Sequence, residues 1–161
     1  MTDLAWRWRW PDVDGELLIS QAVARVFNDH RQHGSGVERG GQLFVNPLNP
    51  EGLLLDVATS PHHADRAGRS WLELDATRCT EEIECANSQG LRLVGYWHTH
   101  PQNIPAISSQ DLASFFKFAR RYAAELPRPI AVIVGISDKP EGIKAWSFND
   151  RRCIEASWVA A

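Results

Sequence analysis

Two histidines at strand spacing, a proline that ends the strand and a helix start seven residues later constrain this chain more than any other stretch. Tyr96-Trp97-His98-Thr99-His100-Pro101 follows Leu91, Leu93 and Val94, which have the composition of a buried strand. Side chains two apart on an extended backbone leave the same face, so His98 and His100 point together. Pro101 lacks a backbone donor and closes the ladder. Ser108 reads as a helix N-cap, because Leu112, Phe115, Phe116 and Ala119 follow at helical spacing. Asp111 then lies in the first turn, where its carboxylate can turn toward the end of the strand. Two imidazoles and one carboxylate from two rigid elements make a three-ligand zinc site, and three protein ligands leave the fourth position open for catalysis. Each half alone has a plain explanation. His-x-His is common on strands, and Ser-x-x-Asp is close to a capping box that needs only helix physics. The specific signal is the combination at this spacing.

The 161 residues fit one domain, 1–161, with enough chain to bury a core unaided. A net charge of -3 leaves no basic footprint for nucleic acid. Arg7 and Arg9, Arg120-Arg121 and Arg151-Arg152 are short runs that a solvated face explains. No apolar run has membrane length, and Met1 to Arg7 lacks a signal peptide's apolar core, so neither a membrane nor export is expected. Cys79, Cys85 and Cys153 are odd in number with no CxxC spacing, and read as reduced thiols of a cytoplasmic protein.

The first 16 residues form a Trp/Arg-rich strand and turn. Trp6, Trp8 and Trp10 alternate with Arg7 and Arg9, a period of two with one aromatic face. That face either covers the core from an edge strand, the simpler reading, or offers hot-spot residues to a partner. A short strand over Leu17–Ser20 leads into a helix from about Gln21 to His33, with Val23, Val26 and Phe27 inward. His30 and His33 fall near its C-terminal end and are expected at the surface, not as ligands. Val37 to Val45 reads as a strand that carries Glu38, and Gly40-Gly41 allows close backbone approach. Asn46–Gly52 is a hairpin loop and Leu53–Thr59 the returning strand. Ser60–Ser70 is polar and irregular; His62 and His63, being adjacent, should diverge and not bind metal with Asp65. Strands over Trp71–Asp75, Leu91–Trp97, Ile130–Ile136, Ile143–Phe148 and Cys153–Val159 complete the pattern with helices from Thr77 to Ser88 and from Ser108 to about Glu125. Asn149-Asp150 is read as a turn. From Leu17 the order β-α-β-β-β-α-β-α-β-β-β predicts an α/β (α+β) fold, a mixed sheet flanked by helices.

His-x-His-Pro, seven residues from Pro101 to Ile107, then Ser-x-x-Asp is the signature of the JAMM (JAB or MPN-plus) metalloprotease family. With Glu-x-Gly-Gly-x-Leu (Glu38 to Leu43), Ser60-Pro61, Asp65 and Arg69-Ser70, the chain resembles prokaryotic members from about Leu17 to Val159. Val45, where many relatives carry Gly, is one small departure. The resemblance implies the cytidine-deaminase-like JAB/MPN fold and one Zn2+ per chain held by His98, His100 and Asp111. It makes Glu38 the general acid/base and Ser108 the donor toward the oxyanion. It also implies a zinc-dependent (iso)peptidase that cuts after the C-terminus of a ubiquitin-like protein, as in bacterial antiphage conjugation systems of the CBASS or Bil kind. The substrate tail would lie as an extended strand on an edge supplied by Val37–Phe44 or by Ser60–Ser70. The implied partners are the ubiquitin-like protein or its conjugates and the enzymes that make them. The alternatives are a peptidase processing a sulfur-carrier protein, and a non-catalytic MPN-type interaction module.

Overall fold

Alternation along the strands decides the architecture, because most strands bury both faces. A computed structural model of the chain describes residues 2–149 and 151–161. Its elements are β1 (Leu4–Arg9), β2 (Leu17–Ser20), α1 (Gln21–Asp29), β3 (Gly40–Asn46), β4 (Leu53–Ala58), β5 (Arg66–Ala67) and β6 (Leu72–Glu73). They continue with α2 (Ala76–Ser88), β7 (Arg92–Thr99), α3 (Ser109–Arg121), β8 (Ile130–Val134), β9 (Ile143–Phe148), β10 (Cys153–Glu155) and β11 (Ser157–Ala160). Nine strands form one mixed sheet in the order β10-β9-β8-β7-β3-β4-β2-β1-β11, and β5 pairs with β6 as a separate hairpin. The pairs β2/β4 and β7/β8 are parallel, and the remaining pairs are antiparallel.

Strand β8 shows how the layers arise. Ile130, Val132 and Val134 join one core cluster, built around Val23 and Phe27 of α1 with Trp8, Ile19, Leu43 and Leu55. Ala131 and Ile133 face the other way and pack with Phe115 and Ala119 of α3, Trp146 and Phe148. Ala86 of α2 covers Phe44 and Leu91 on that second face. The two outermost strands of the order, β10 and β11, are separated in sequence by Ala156 alone. Its N–H donates to Ala145 O at 2.9 Å, and the Trp10 indole N–H donates to Ile154 O at 2.9 Å. The sheet therefore curls until its two edges meet.

Several expected boundaries shift. The segment Cys153–Val159, read as one strand, divides at Ala156 and serves both ends of the sheet. The Trp-bearing strand β1 is not an edge, since β2 and β11 flank it; Trp6, Trp8 and Trp10 are buried, as core covering requires. Helix α1 stops at Asp29, not His33. The Ser60–Ser70 loop contains β5, and the expected strand Trp71–Asp75 shrinks to the two residues of β6. Of the Asn149-Asp150 turn, Asp150 lies outside the described residues. Among the described residues no helix is long and apolar enough to cross a membrane.

Candidate metal centre and catalytic cleft

Register brings the candidate site together. Strand β3 runs antiparallel to β7 with Gly40 opposite His98 and Gly41 opposite Trp97. Continued by two residues, that register sets Arg39 opposite Thr99 and Glu38 opposite His100. The bonds agree: Thr99 N–H donates to Arg39 O at 2.9 Å, and Arg39 N–H donates to Thr99 Oγ1 at 3.0 Å. Side chains 38, 98 and 100 thus share one face, and a slip of one residue would turn Glu38 away. Gly40 permits this closeness, because a Cβ there would stand 2.2 Å from Trp97 O. The ladder begins only at Gly40, so Glu38 is not in a strand as the sequence suggested; it lies in an irregular entry.

His98, His100 and Asp111 converge. Nε2 of His98 and Nε2 of His100 lie 3.1 Å apart, and Asp111 Oδ2 is 3.3 Å from the first and 3.1 Å from the second. Among the described residues these three form the metal-type cluster. A tetrahedral zinc with ligand distances of about 2.0–2.1 Å needs neighbouring donor atoms about 3.3–3.4 Å apart. The three edges match one face of that tetrahedron, and two nitrogens with one oxygen suit zinc's donor preference. The residues present fit the ion.

The helix cap and the candidate metal-binding carboxylate are one device. Ser108 Oγ accepts from Asp111 N–H at 3.0 Å, while Ser108 N–H donates to Asp111 Oδ2 at 3.3 Å. That second bond uses the same oxygen that faces the imidazoles, so the capping box orients the carboxylate. Phe115 stacks near the His98 ring, with centroids 6.4 Å apart. Gln102 Oε1, 3.2 Å from His100 Nδ1, also accepts from Ala106 N–H at 3.1 Å. With the His100 proton on Nδ1, its Nε2 lone pair faces the cluster.

Glu38 is 5% exposed, and its Oε1 is 3.7 Å from His100 Nε2. Burial pushes the Glu38 carboxyl above the usual range, although the two imidazoles oppose it. Burial would likewise raise Asp111, but hydrogen bonds from His100 and His98 outweigh it and hold that carboxyl well below the usual range. Burial alone would lower His100, but the bond and charge of Asp111 prevail and raise it. The site opens into a cleft of about 370 Å³, whose walls run from Glu38, His98 and Asp111 to Trp71, Leu74 and Phe118.

The other candidates stay outside. His30 Nδ1 is 2.8 Å from Val26 O, and this ring is half-buried and 6.1 Å from the Trp97 ring, not fully at the surface. His33 is exposed. His62 and His63 stack at 4.3 Å where divergence was expected, and Asp65 turns instead to Arg78, 2.7 Å away. The expected Val37–Phe44 edge does not exist, since β3 is flanked by β4 and β7; the two-stranded β5–β6 sheet carries the free edges beside the cleft. Sequence reasoning missed Arg78, buried on α2, which binds Asp65, Glu82, Thr59 Oγ1 and Gly40 O. It also missed Gln102, Gln32 and Thr99. An Arg four residues before a Glu reads as an ordinary exposed helix pair, so no local signal marked Arg78.

Comparison with known proteins places this arrangement. A CD-NTase/cGAS isopeptidase of Pseudomonas aeruginosa (strain BWHPSA011 / Pa011) is 29% identical over 132 residues, covering 78% of this chain and 82% of that protein. A protein of the same name from Escherichia coli (strain TW11681) is 27% identical over 108 residues, covering 65% and 69%. The solution structure of protein DSY2949 from Desulfitobacterium hafniense shares the fold at a TM-score of 0.58 and 15% identity, over 85% of this chain and 87% of that one. The family model described as prokaryotic homologs of the JAB domain matches residues 20–149, and the chain belongs to that family.

Proposed function

We propose that the protein is a zinc-dependent isopeptidase. It hydrolyses the amide joining the C-terminus of a ubiquitin-like protein, or of a protein conjugated in the same manner, to an amine, in a bacterial antiphage conjugation system. One observation carries the reading: a buried carboxylate, Glu38, stands 3.7 Å from His100 Nε2 beside a three-donor cluster at the wall of a cleft. A purely structural metal site needs no such acid, which argues against a non-catalytic module. The two curated relatives are both named CD-NTase/cGAS isopeptidase, which favours an isopeptide over the sulfur-carrier alternative and makes a CD-NTase conjugate a second substrate to try.

His98, His100 and Asp111 would hold the ion, which when bound supplies Lewis acidity to a water and to the scissile carbonyl. Glu38 accepts the proton of the attacking water as its oxygen bonds to the carbonyl carbon, and returns that proton to the departing amine as the C–N bond breaks. Ser108 spends a lone pair on the Asp111 N–H, so its own O–H is free to donate toward the oxyanion. Gln102 keeps the His100 proton on Nδ1. The apolar far wall of the cleft, with Trp71 42% exposed at its rim, suits an extended tail.

The test is incubation of the zinc-loaded protein with lysine conjugates of ubiquitin-like and CD-NTase C-terminal tails, followed by mass spectrometry of the products. Release of an intact tail and a free amine, abolished by chelation, is expected. An inert protein with a full complement of zinc would sink the proposal.

A further inference from the structure

We propose that Gln32 and Thr99 form a buried clamp that positions Glu38 against the His98–His100–Asp111 cluster. The inference rests on the reading of Glu38 as the proton carrier, and makes Gln32 and Thr99 positioning residues for that reaction. It begins from the backbone. Glu38 precedes the ladder, so regular pairing does not hold it, and two neighbouring supports do. Glu38 N–H donates to Gly68 O at 2.8 Å, on the β5–β6 hairpin. Arg39 is bonded both ways to Thr99, through its N–H to Oγ1 at 3.0 Å and its carbonyl from the Thr99 N–H at 2.9 Å.

Gln32 joins these supports. Its Oε1 accepts from Thr99 Oγ1 at 3.1 Å, while its Nε2 donates to Arg69 O at 2.9 Å and to Gly36 O at 2.8 Å. Gln32 is 2% exposed and Thr99 0%. Both amide protons and the carbonyl oxygen are used, so one side chain ties the end of the histidine strand to the residue next to Gly68. Thr99 lies between the two histidines in sequence, yet alternation sends its hydroxyl to the opposite face. Its role is therefore to hold and not to coordinate. A hydroxyl is required there, since it accepts from Arg39 while donating to Gln32, and an isosteric Val can do neither. Catalytic groups must stay within roughly 0.5 Å of productive geometry. Glu38 has no strand to keep it there without the clamp.

The test compares zinc-loaded wild type, Thr99→Val, Thr99→Ser, Gln32→Met and Glu38→Gln on the conjugate that wild type cleaves. Zinc content, melting temperature and backbone amide exchange by NMR on the metal-free proteins accompany the kinetics. For Thr99→Val and Gln32→Met, kcat should fall about 10- to 100-fold with KM nearly unchanged and zinc retained, the scale expected of a misplaced group. The Arg39 amide in Thr99→Val and the Glu38 amide in Gln32→Met should exchange faster while amides of β8 do not. Thr99→Ser should recover wild-type kcat. The clamp is refuted if kcat per zinc-loaded folded molecule is unchanged, or if Thr99→Ser is as impaired as Thr99→Val. Should Thr99→Val not fold, Gln32→Met decides by the same exchange and kcat criteria. A fully active Glu38→Gln refutes the proton-carrier reading itself; an inactive Glu38→Gln beside a fully active Thr99→Val refutes only the clamp.

Discussion

Glu38 has the most to explain, because a carboxylate buried beside two imidazoles gains nothing as a surface ion. Glu38→Gln keeps the shape of the side chain and one accepting oxygen but cannot carry a proton. It should retain zinc and fold while kcat drops by about 10²–10⁴-fold, the usual worth of a positioned acid/base, measured in the conjugate cleavage assay. His98→Ala or Asp111→Ala removes one corner of the 3.1–3.3 Å triangle. Either should abolish stoichiometric zinc binding with at most a moderate loss of melting temperature, checked by metal analysis and thermal denaturation. The convergence of His98, His100 and Asp111 was legible in the sequence for a physical reason. A strand and a helix convert spacing into direction, so His-x-His and Ser-x-x-Asp announce convergence before any coordinates exist. The capping box does not compete with convergence as an explanation for Ser108 and Asp111, because the same bonds orient the Asp111 carboxylate toward the imidazoles.

Between elements, one guanidinium ties the chain entering the β5–β6 hairpin to α2 and β3, in addition to the bonds that Glu38 and Gln32 make to Gly68 O and Arg69 O. Arg78, 3% exposed, bonds Asp65 just before β5, Glu82 on its own helix and Gly40 O beside the candidate site. Arg78→Met would leave the buried Asp65 carboxylate without its partner. A loss of about 3–5 kcal/mol in chemical denaturation is expected, the cost of breaking a buried pair from one side. Acid should act on the same joint. Burial alone would raise the Asp65 carboxyl, but hydrogen bonds from Arg78 and from the backbone of Asp75 and His62 overcome it and hold the group below its ordinary value. A carboxyl depressed in the folded state stabilises fully above its unfolded pKa of about 3.9 and loses that contribution as pH falls through the lower folded value. Stability measured from pH 5 downward should therefore fall less steeply in Asp65→Asn than in wild type. Long periodic elements such as β7, α3 and β8 could be read from the chain alone. The two-residue strands, the irregular perch of Glu38 and the bonds of Gln32, Thr99 and Arg78 could not. Those polar groups reach across the fold, Gln32 to Thr99 and Arg69 and Arg78 to Gly40, and periodicity carries no record of such pairing.

For the molecule as a whole, the decisive event is the meeting of the sheet's edges at Ala156. Trp8 lies fully buried between β2 and β11, against the cluster that includes α1. Trp8→Ala should cost about 3–5 kcal/mol by the usual scale for emptying a large aromatic from a core, read from denaturant midpoints. Neither the closure nor the flanking of β1 on both sides was visible in sequence, because both depend on a C-terminal segment, β10 and β11, that pairs at two distant places. Strand β1 pairs with β11 so that Trp6 stands opposite Ala160. A circularly permuted gene that bridges Thr2 and Ala161 with a few glycines, and is reopened at the solvent-facing Leu48 tip between β3 and β4, would cut no ladder within the sheet.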